Sequence, residues 1–305
     1  MQNTIEFFFF RLLLLFIRSF SFTAVQRMGN SFGGFVYTVL GLRKGLVLSN
    51  LSHAFPEKSH AELDSIAKAS YRNLFMAYFE ILYLGKLGAD DLNQMITFPE
   101  RGKIREALEK NKGLILLSGH FGNWEIIALS VPLYTENPYT MIVQKQRNPL
   151  IDQFMTKMRT RLGGKVVVME RAMRETLRAL SQNGAVALLA DQSGPENGIF
   201  TEFFGRMTST HLGPAALHVR TGAPIFIALL VREGWGKFRI DFEEVDTSGL
   251  TGSDDEKIRE VSQRHVSVLE RHIRQRPEHW LWMHKRWKHT ESYMKKQSLE
   301  KESGR

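Results

Sequence analysis

Residues 113–125 read Gly113-Leu114-Ile115-Leu116-Leu117-Ser118-Gly119-His120-Phe121-Gly122-Asn123-Trp124-Glu125. The apolar run at 114–117 predicts a buried strand, and a histidine between two glycines predicts a tight turn that opens a helix. An acid five residues beyond His120 cannot reach it along one helix, where five residues rotate by about 500° and leave the side chains roughly 140° apart. The turn must therefore bring them together, with His120 in a loop at the strand's C-terminal end and Glu125 in the first helical turn. A carboxylate there holds one ring nitrogen. The other is then free to take a proton from a hydroxyl, because an imidazole with an unperturbed pKa near about 6.5 suits base duty at neutral pH. The plainer alternative is a histidine satisfying backbone groups in a turn, with Glu125 complementing the helix dipole.

Around this stretch the chain alternates. Apolar runs at 114–117, 139–143, 165–169, 185–190 and 224–231 are separated by helical patterns at 150–162, 171–182 and 212–220. That alternation predicts an α/β fold with a mainly parallel central sheet flanked by helices. Residues 238–245 alternate like an edge strand. Upstream, residues 61–79 carry Leu63, Ile66, Ala67, Ser70, Leu74 and Tyr78 near helical spacing. Sites in open α/β sheets form beyond the strands' C-terminal ends. His120 and Asp191 each follow an apolar run, so the two are expected to converge.

Asp191 opens the polar loop Gln192-Ser193-Gly194-Pro195-Glu196-Asn197-Gly198, where either site chemistry or ordinary Asp turn chemistry accounts for it. Asn148 and Pro149 start the helix at 150–162, proline being pre-organised for a first helical position. Arg147, Arg159 and Arg161 lie on or beside that helix and suit a bidentate grip on phosphate or carboxylate; a solvated face is the bland alternative. Thr208-Ser209-Thr210 are expected to cap the helix at 212–220.

The N-terminus is apolar at 7–10 and 12–17, interrupted by Arg11 and Arg18. A spanning helix wants about 20 apolar residues, so the segment predicts a retained anchor helix lying in, or steeply entering, one leaflet. A cleaved signal peptide is the competing reading, with no basic region before the apolar stretch and no clear cleavage pattern to favour it. The expected organisation is an anchor at 1–25, one domain at 26–290 and a polar tail at 291–305. Residues 271–288 mix basic side chains with Trp280, Trp282 and Trp287, which fit interfacial anchoring or core packing.

The 305 residues, 43% hydrophobic and 24% charged, describe a globular protein. The absence of cysteine excludes disulfides, thiolate metal sites and a cysteine nucleophile. The +9 balance, from 41 Lys and Arg against 32 Asp and Glu, favours acidic partners. G-x-S-x-G, H-E-x-x-H, G-x-x-x-x-G-K-[ST] and G-x-G-x-x-G are all missing, which removes support for serine hydrolases, zinc peptidases, P-loop enzymes and dinucleotide enzymes.

His120-Phe121-Gly122-Asn123-Trp124-Glu125 resembles the H-x4-D/E signature of glycerolipid acyltransferases, in the form seen in the bacterial lipid A biosynthesis acyltransferases. Other segments are similar to that family in order. They are Asn50-Leu51-Ser52-His53-Ala54-Phe55-Pro56-Glu57, Asn148-Pro149-Leu150-Ile151-Asp152 with Arg159 and Arg161, Asp191-Gln192 with Gly194-Pro195, and Trp282-Met283-His284-Lys285-Arg286-Trp287-Lys288. The likeness covers about residues 5–290, and it is the ordered set that is specific.

The resemblance implies a membrane-associated O-acyltransferase that uses no metal or cofactor. His120, oriented by Glu125, deprotonates an acceptor hydroxyl that attacks a thioester on acyl carrier protein or coenzyme A. Backbone N–H groups near Gly122 and Asn123, or Arg159, stabilise the oxyanion, and Asn148, Arg159, Asp191 and Gln192 contribute to substrate binding. The implied partners are acyl carrier protein, a phosphorylated glycolipid acceptor and a membrane surface, with no nucleic acid. The implied location is the bacterial inner membrane, catalytic domain on the cytoplasmic side. Gln144 departs from the pattern where an arginine is usual, with Lys145 or Arg147 as substitutes. Lysophospholipid or aminolipid acceptors are the alternative within acyl transfer. A membrane-docked lipid- or nucleic-acid-binding protein, with structural His120 and Glu125, is the alternative outside it.

Overall fold

The computed structural model describes residues 1–302, with side chains through 299. Helices come first: α1 (Gln2–Arg18), α2 (Phe22–Phe35), α3 (Lys44–Ala54), α4 (His60–Tyr83) and α5 (Ala89–Met95). Strands and helices then alternate through β1 (Ile96–Thr97), α6 (Gly102–Glu109), β2 (Leu114–Ser118), α7 (Trp124–Ser130), β3 (Tyr139–Val143), α8 (Pro149–Thr160), β4 (Lys165–Val168), α9 (Ala172–Ser181) and β5 (Ala185–Leu189). A hairpin of β6 (Ile199–Phe203) and β7 (Arg206–Thr210) precedes α10 (Gly213–Thr221), β8 (Ile225–Gly234), β9 (Lys237–Glu244), α11 (Asp254–Gln275) and α12 (Thr290–Glu302).

The main sheet has seven strands in the order β1-β9-β8-β2-β5-β3-β4, parallel except where β8 meets β9. Its logic is plain in β2, whose apolar run is covered on both faces. Ile115 and Leu117 enter one core with residues of α9, α10 and α11, while Leu114 and Leu116 enter the other with α6, α7 and α8. The mainly parallel α/β sheet is the architecture the alternation predicts. β9 is one strand in from the edge, because the two-residue β1 pairs alongside it.

One expectation changes. Thr208, Ser209 and Thr210 are fully buried in β7 and do not cap α10, which starts from Leu212 with no side-chain cap and with proline in its first turn. The two threonine hydroxyls face Arg286, whose guanidinium donates to Thr208 Oγ1 and Thr210 Oγ1 at 3.0 Å each, while the Ser209 hydroxyl donates to Pro195 O. Trp280, Trp282 and Trp287 are core residues, all buried, and are not presented to a membrane. The boundary expected at residue 25 falls inside α2, whose Val25 is buried with Ile17 in the core beside the sheet.

No single helix among the described residues is long and apolar enough to cross a membrane; α1 and the segment Phe22–Leu40 pass that test only as a pair bent by 120°. Helix α1 rests on α4 and α8, with Phe10 edge-on to Phe154 at 5.2 Å, and turns an apolar face outward. Phe8, Phe9, Leu12, Leu15 and Phe16 on α1 are exposed, as are Phe32 and Phe35 on α2. At the other end, α12 packs Tyr293 on Phe200 at 4.0 Å. The remainder of the tail, 303–305, lies outside the described residues.

Candidate active site

The loop leaving β2 is shaped by a glycine that no other residue can replace. Gly122 has φ of +56°, and a Cβ there would collide with the carbonyl of Leu230 on β8. The loop is also held from behind by the C-terminal segment. Gly122 N donates to His279 O at 2.9 Å, Leu281 N donates to His120 O at 3.0 Å, and Phe121 pairs with Trp280 as an antiparallel bridge.

His120 and Asp191 do converge. Asp191 Oδ1 lies 2.9 Å from His120 Nδ1, and Oδ2 accepts the backbone N–H of His120 at 2.8 Å and the indole N–H of Trp280 at 2.9 Å. A carboxylate on Nδ1 places the proton there and leaves the Nε2 lone pair free. On that side stands Gln192, its amide nitrogen 3.5 Å from Nε2. Burial works to lower the His120 pKa, but the charge and hydrogen bond of Asp191, with the charge of Glu125, outweigh it and hold the imidazole above its usual value. Burial works to raise the Asp191 pKa, but His120 and the N–H donors keep it below the usual carboxylate range.

Glu125 sits in the first turn of α7 as the sequence predicts, yet it does not hold His120. Its two oxygens accept Nε and Nη2 of Arg159 at 2.8 and 2.5 Å in a fork-to-fork pair, with both side chains buried or nearly so. The expected His120–Glu125 contact is thus replaced by His120–Asp191. The reason is that the first turn of α7 aims Glu125 toward α8, while β5, adjacent to β2, delivers Asp191 level with the histidine.

The remaining expected residues divide. Asn123 caps α7, its Oδ1 accepting from Glu125 N and Ile126 N at 3.1 and 3.2 Å. Its amide nitrogen donates to buried Glu80 at 2.9 Å, and Glu80 is in turn paired with Arg232. Gly122 N is already engaged by His279 O, so it offers no free donor to a reaction intermediate. Asn148 caps α8 through Leu150 N and donates to Asn3 O and Glu6 on α1, joining those helices instead of approaching His120. Arg147 also pairs with Glu6, while Gln144 and Lys145 are exposed. Among the described residues no group of three or more His, Asp or Glu side chains is arranged to hold a metal.

Residues not read as site components complete the shell. Trp280 donates to Asp191, and His284, pushed down to about 4 chiefly by burial, accepts Ser193 N at 3.1 Å as a neutral ring. The signal for Trp280 lay in the basic, aromatic segment: a buried indole N–H requires an acceptor.

A histidine–carboxylate pair just past the carboxyl ends of adjacent parallel strands, its acid buried and one ring nitrogen open, is able chemically to take a proton from a hydroxyl. A sequence model described as bacterial lipid A biosynthesis acyltransferase matches residues 1–289, and the chain belongs to that family, a class of acyl-transferring enzymes. It is 26% identical over 191 residues to a phosphatidylinositol mannoside acyltransferase of Mycolicibacterium smegmatis, covering 61% of this chain and 62% of that relative. It is 22% identical to a lipid A biosynthesis acyltransferase of Haemophilus influenzae, covering 90% and 84%, and 22% identical to the lipid A biosynthesis palmitoleoyltransferase of Escherichia coli, covering 86% and 84%.

Proposed function

We propose that this chain transfers a fatty acyl group from a thioester to a hydroxyl of a phosphorylated glycolipid, with His120 as general base and Asp191 as its orienting carboxylate. The observation that carries this reading is the bond of Asp191 to Nδ1, which leaves Nε2 free beside Gln192. As the acceptor oxygen attacks the thioester carbon, Nε2 takes its proton. The tetrahedral oxyanion then collapses, the C–S bond breaks, and the departing thiolate takes the proton back from the imidazolium. A positioned base of this kind contributes about 10²- to 10⁴-fold. Gln192 supplies the side-chain donor nearest the reacting nitrogen. Glu125 and Arg159 form the support beneath, fixing α7 against α8.

The relatives named for lipid A and for phosphatidylinositol mannoside favour a glycolipid acceptor, lipid A precursor first. The +9 charge suits its phosphates and an acidic acyl carrier protein as donor. The outward apolar faces of α1 and α2 suit insertion into one leaflet, with the catalytic domain on the cytoplasmic side of the bacterial inner membrane. The test is acyl transfer in detergent micelles from labelled acyl carrier protein to a lipid A precursor, a phosphatidylinositol mannoside and a lysophospholipid, with wild type and Asp191→Asn. Transfer to the lipid A precursor, lost in the variant, is expected. Preference for another acceptor moves the substrate assignment, and no consumption of thioester with any acceptor overturns the reading in favour of a lipid-binding protein.

A further inference from the structure

The turn that ends α4 is ringed by cations from three elements. Arg18, the last residue of α1, donates Nε to Leu82 O at 2.9 Å. Arg161, just past α8, donates Nη2 to Leu84 O at 3.0 Å and to Leu87 O. Lys86, in the turn itself, donates to Arg18 O at 2.8 Å. These bonds answer the orphan carbonyls at a helix C-terminus. They do not balance the charge, because among the described residues none of the three side chains forms an ion pair with a carboxylate.

Nor do these bonds use up the donors. Arg18 Nη2 and Arg161 Nε are buried without an acceptor. The seat for Arg18 is built: Phe154 lies under its guanidinium, with 5.5 Å to the ring centroid, and a Cβ at Gly85 would collide with Nη2. Burial and the neighbouring charge of Arg18 together press the Arg161 guanidinium below its ordinary value, with Asp91 as a partial counterweight. Two like charges drawn together with spare N–H groups form the arrangement that an anion completes, and the planar fork of arginine matches phosphate.

We infer that the Arg18–Lys86–Arg161 turn binds a phosphate group, gripped by both guanidiniums where α1 meets the body of the protein. Exposed Phe16 and Phe20 flank Arg18, so the site opens at the edge of the apolar surface, which favours the phosphate of a lipid headgroup over a free ion. The site stands on contacts separate from the His120–Asp191 pair and does not depend on the acyl-transfer reading.

The test uses the full chain in detergent, with binding and not turnover as its readout. Thermal unfolding is followed with inorganic phosphate and with short-chain phosphatidic acid, and flotation is measured with phosphatidylcholine vesicles with and without phosphatidic acid. Arg18→Gln/Arg161→Gln is compared with Arg105→Gln/Arg171→Gln, which removes the same charge from exposed positions elsewhere. The expected result is stabilisation of wild type by phosphatidic acid, absent in the first variant, and an affinity for phosphatidic acid vesicles about tenfold lower than the control's. Stabilisation by inorganic phosphate as well would support the site with a free ion as sufficient ligand. No stabilisation of wild type by either ligand, or equal vesicle losses in both variants, overturns the proposal. Arg18→Gln alone, which gives up a single hydrogen bond, carries the comparison if the double variant does not fold.

Discussion

Two carboxylates act on His120 through their charge, but only one touches it. Asp191 lies two residues past β5 and meets three N–H groups, one from the imidazole, one from the backbone and one from Trp280. Glu125 opens α7 and is matched by a single guanidinium in a bidentate pair. The first environment is neutralised only when His120 takes a proton, so it responds to the reaction. The second is neutral at all times and responds to nothing. Proximity in sequence therefore marks the acid that braces α7 against α8, while the strand register marks the acid that holds the imidazole. Ser118 pairs with Leu189 across β2 and β5, and two residues further along each chain stand His120 and Asp191.

The sharpest way to break this contrast is to exchange the charge for an amide at each acid. Asp191→Asn should lower kcat by about 10⁴, the scale seen when a buried orienting acid is replaced and the imidazole adopts the wrong tautomer. Its fold should survive. Glu125→Gln should instead act on the fold, costing about 3–5 kcal/mol in urea unfolding because Arg159 is left buried and unpaired. Equal catalytic losses with unchanged stability in both variants would show that the two acids share one role.

A gentler probe is Trp280→Phe, which keeps the ring and removes one donor to Asp191. It should lower kcat roughly tenfold, in line with about 1.5 kcal/mol for a hydrogen bond to a charged group, and leave KM nearly unchanged. The carboxylate, less stabilised, becomes more basic and holds the imidazolium more strongly, so the acid limb of the pH–rate profile should move to higher pH. The smallest effect concerns wild type. Because His120 sits above its ordinary pKa, its free-base form appears only at higher pH, and the acid limb of kcat/KM should lie above about 6.5. Asp191→Asn should move whatever activity remains toward lower pH, and a limb that stays in place would remove Asp191 as the cause.

The sheet was legible because each central strand is buried on both faces and so reads as an apolar run bounded by glycine or polar residues; 139–143 is read at its exact limits. The β6–β7 hairpin was not, since its strands mix Thr, Glu, Arg and Ser, and its turn relies on Phe204 at positive φ, a conformation no side-chain pattern announces. His120, its loop and its convergence with Asp191 were also legible, from glycine placement and strand ends. The partner on Nδ1 was not. It depends on a pairing between residues 71 apart in sequence, and on an indole 89 residues beyond Asp191, which spacing along the chain does not express. Asn148 misled for a related reason: its amide is placed to meet a ligand in the sequence, but α1, folded against α8, takes up that donor first.

The bonds from residues 279–281 to the His120 loop have a consequence in time. The ribosome releases those residues more than 150 positions after His120 has emerged. Until they arrive, Asp191 lacks its indole donor and the carbonyl that holds Gly122 is missing. A nascent chain can complete β2 and α7, yet the loop between them still lacks its backing. The loop is closed from behind only after all seven strands of the main sheet have been made.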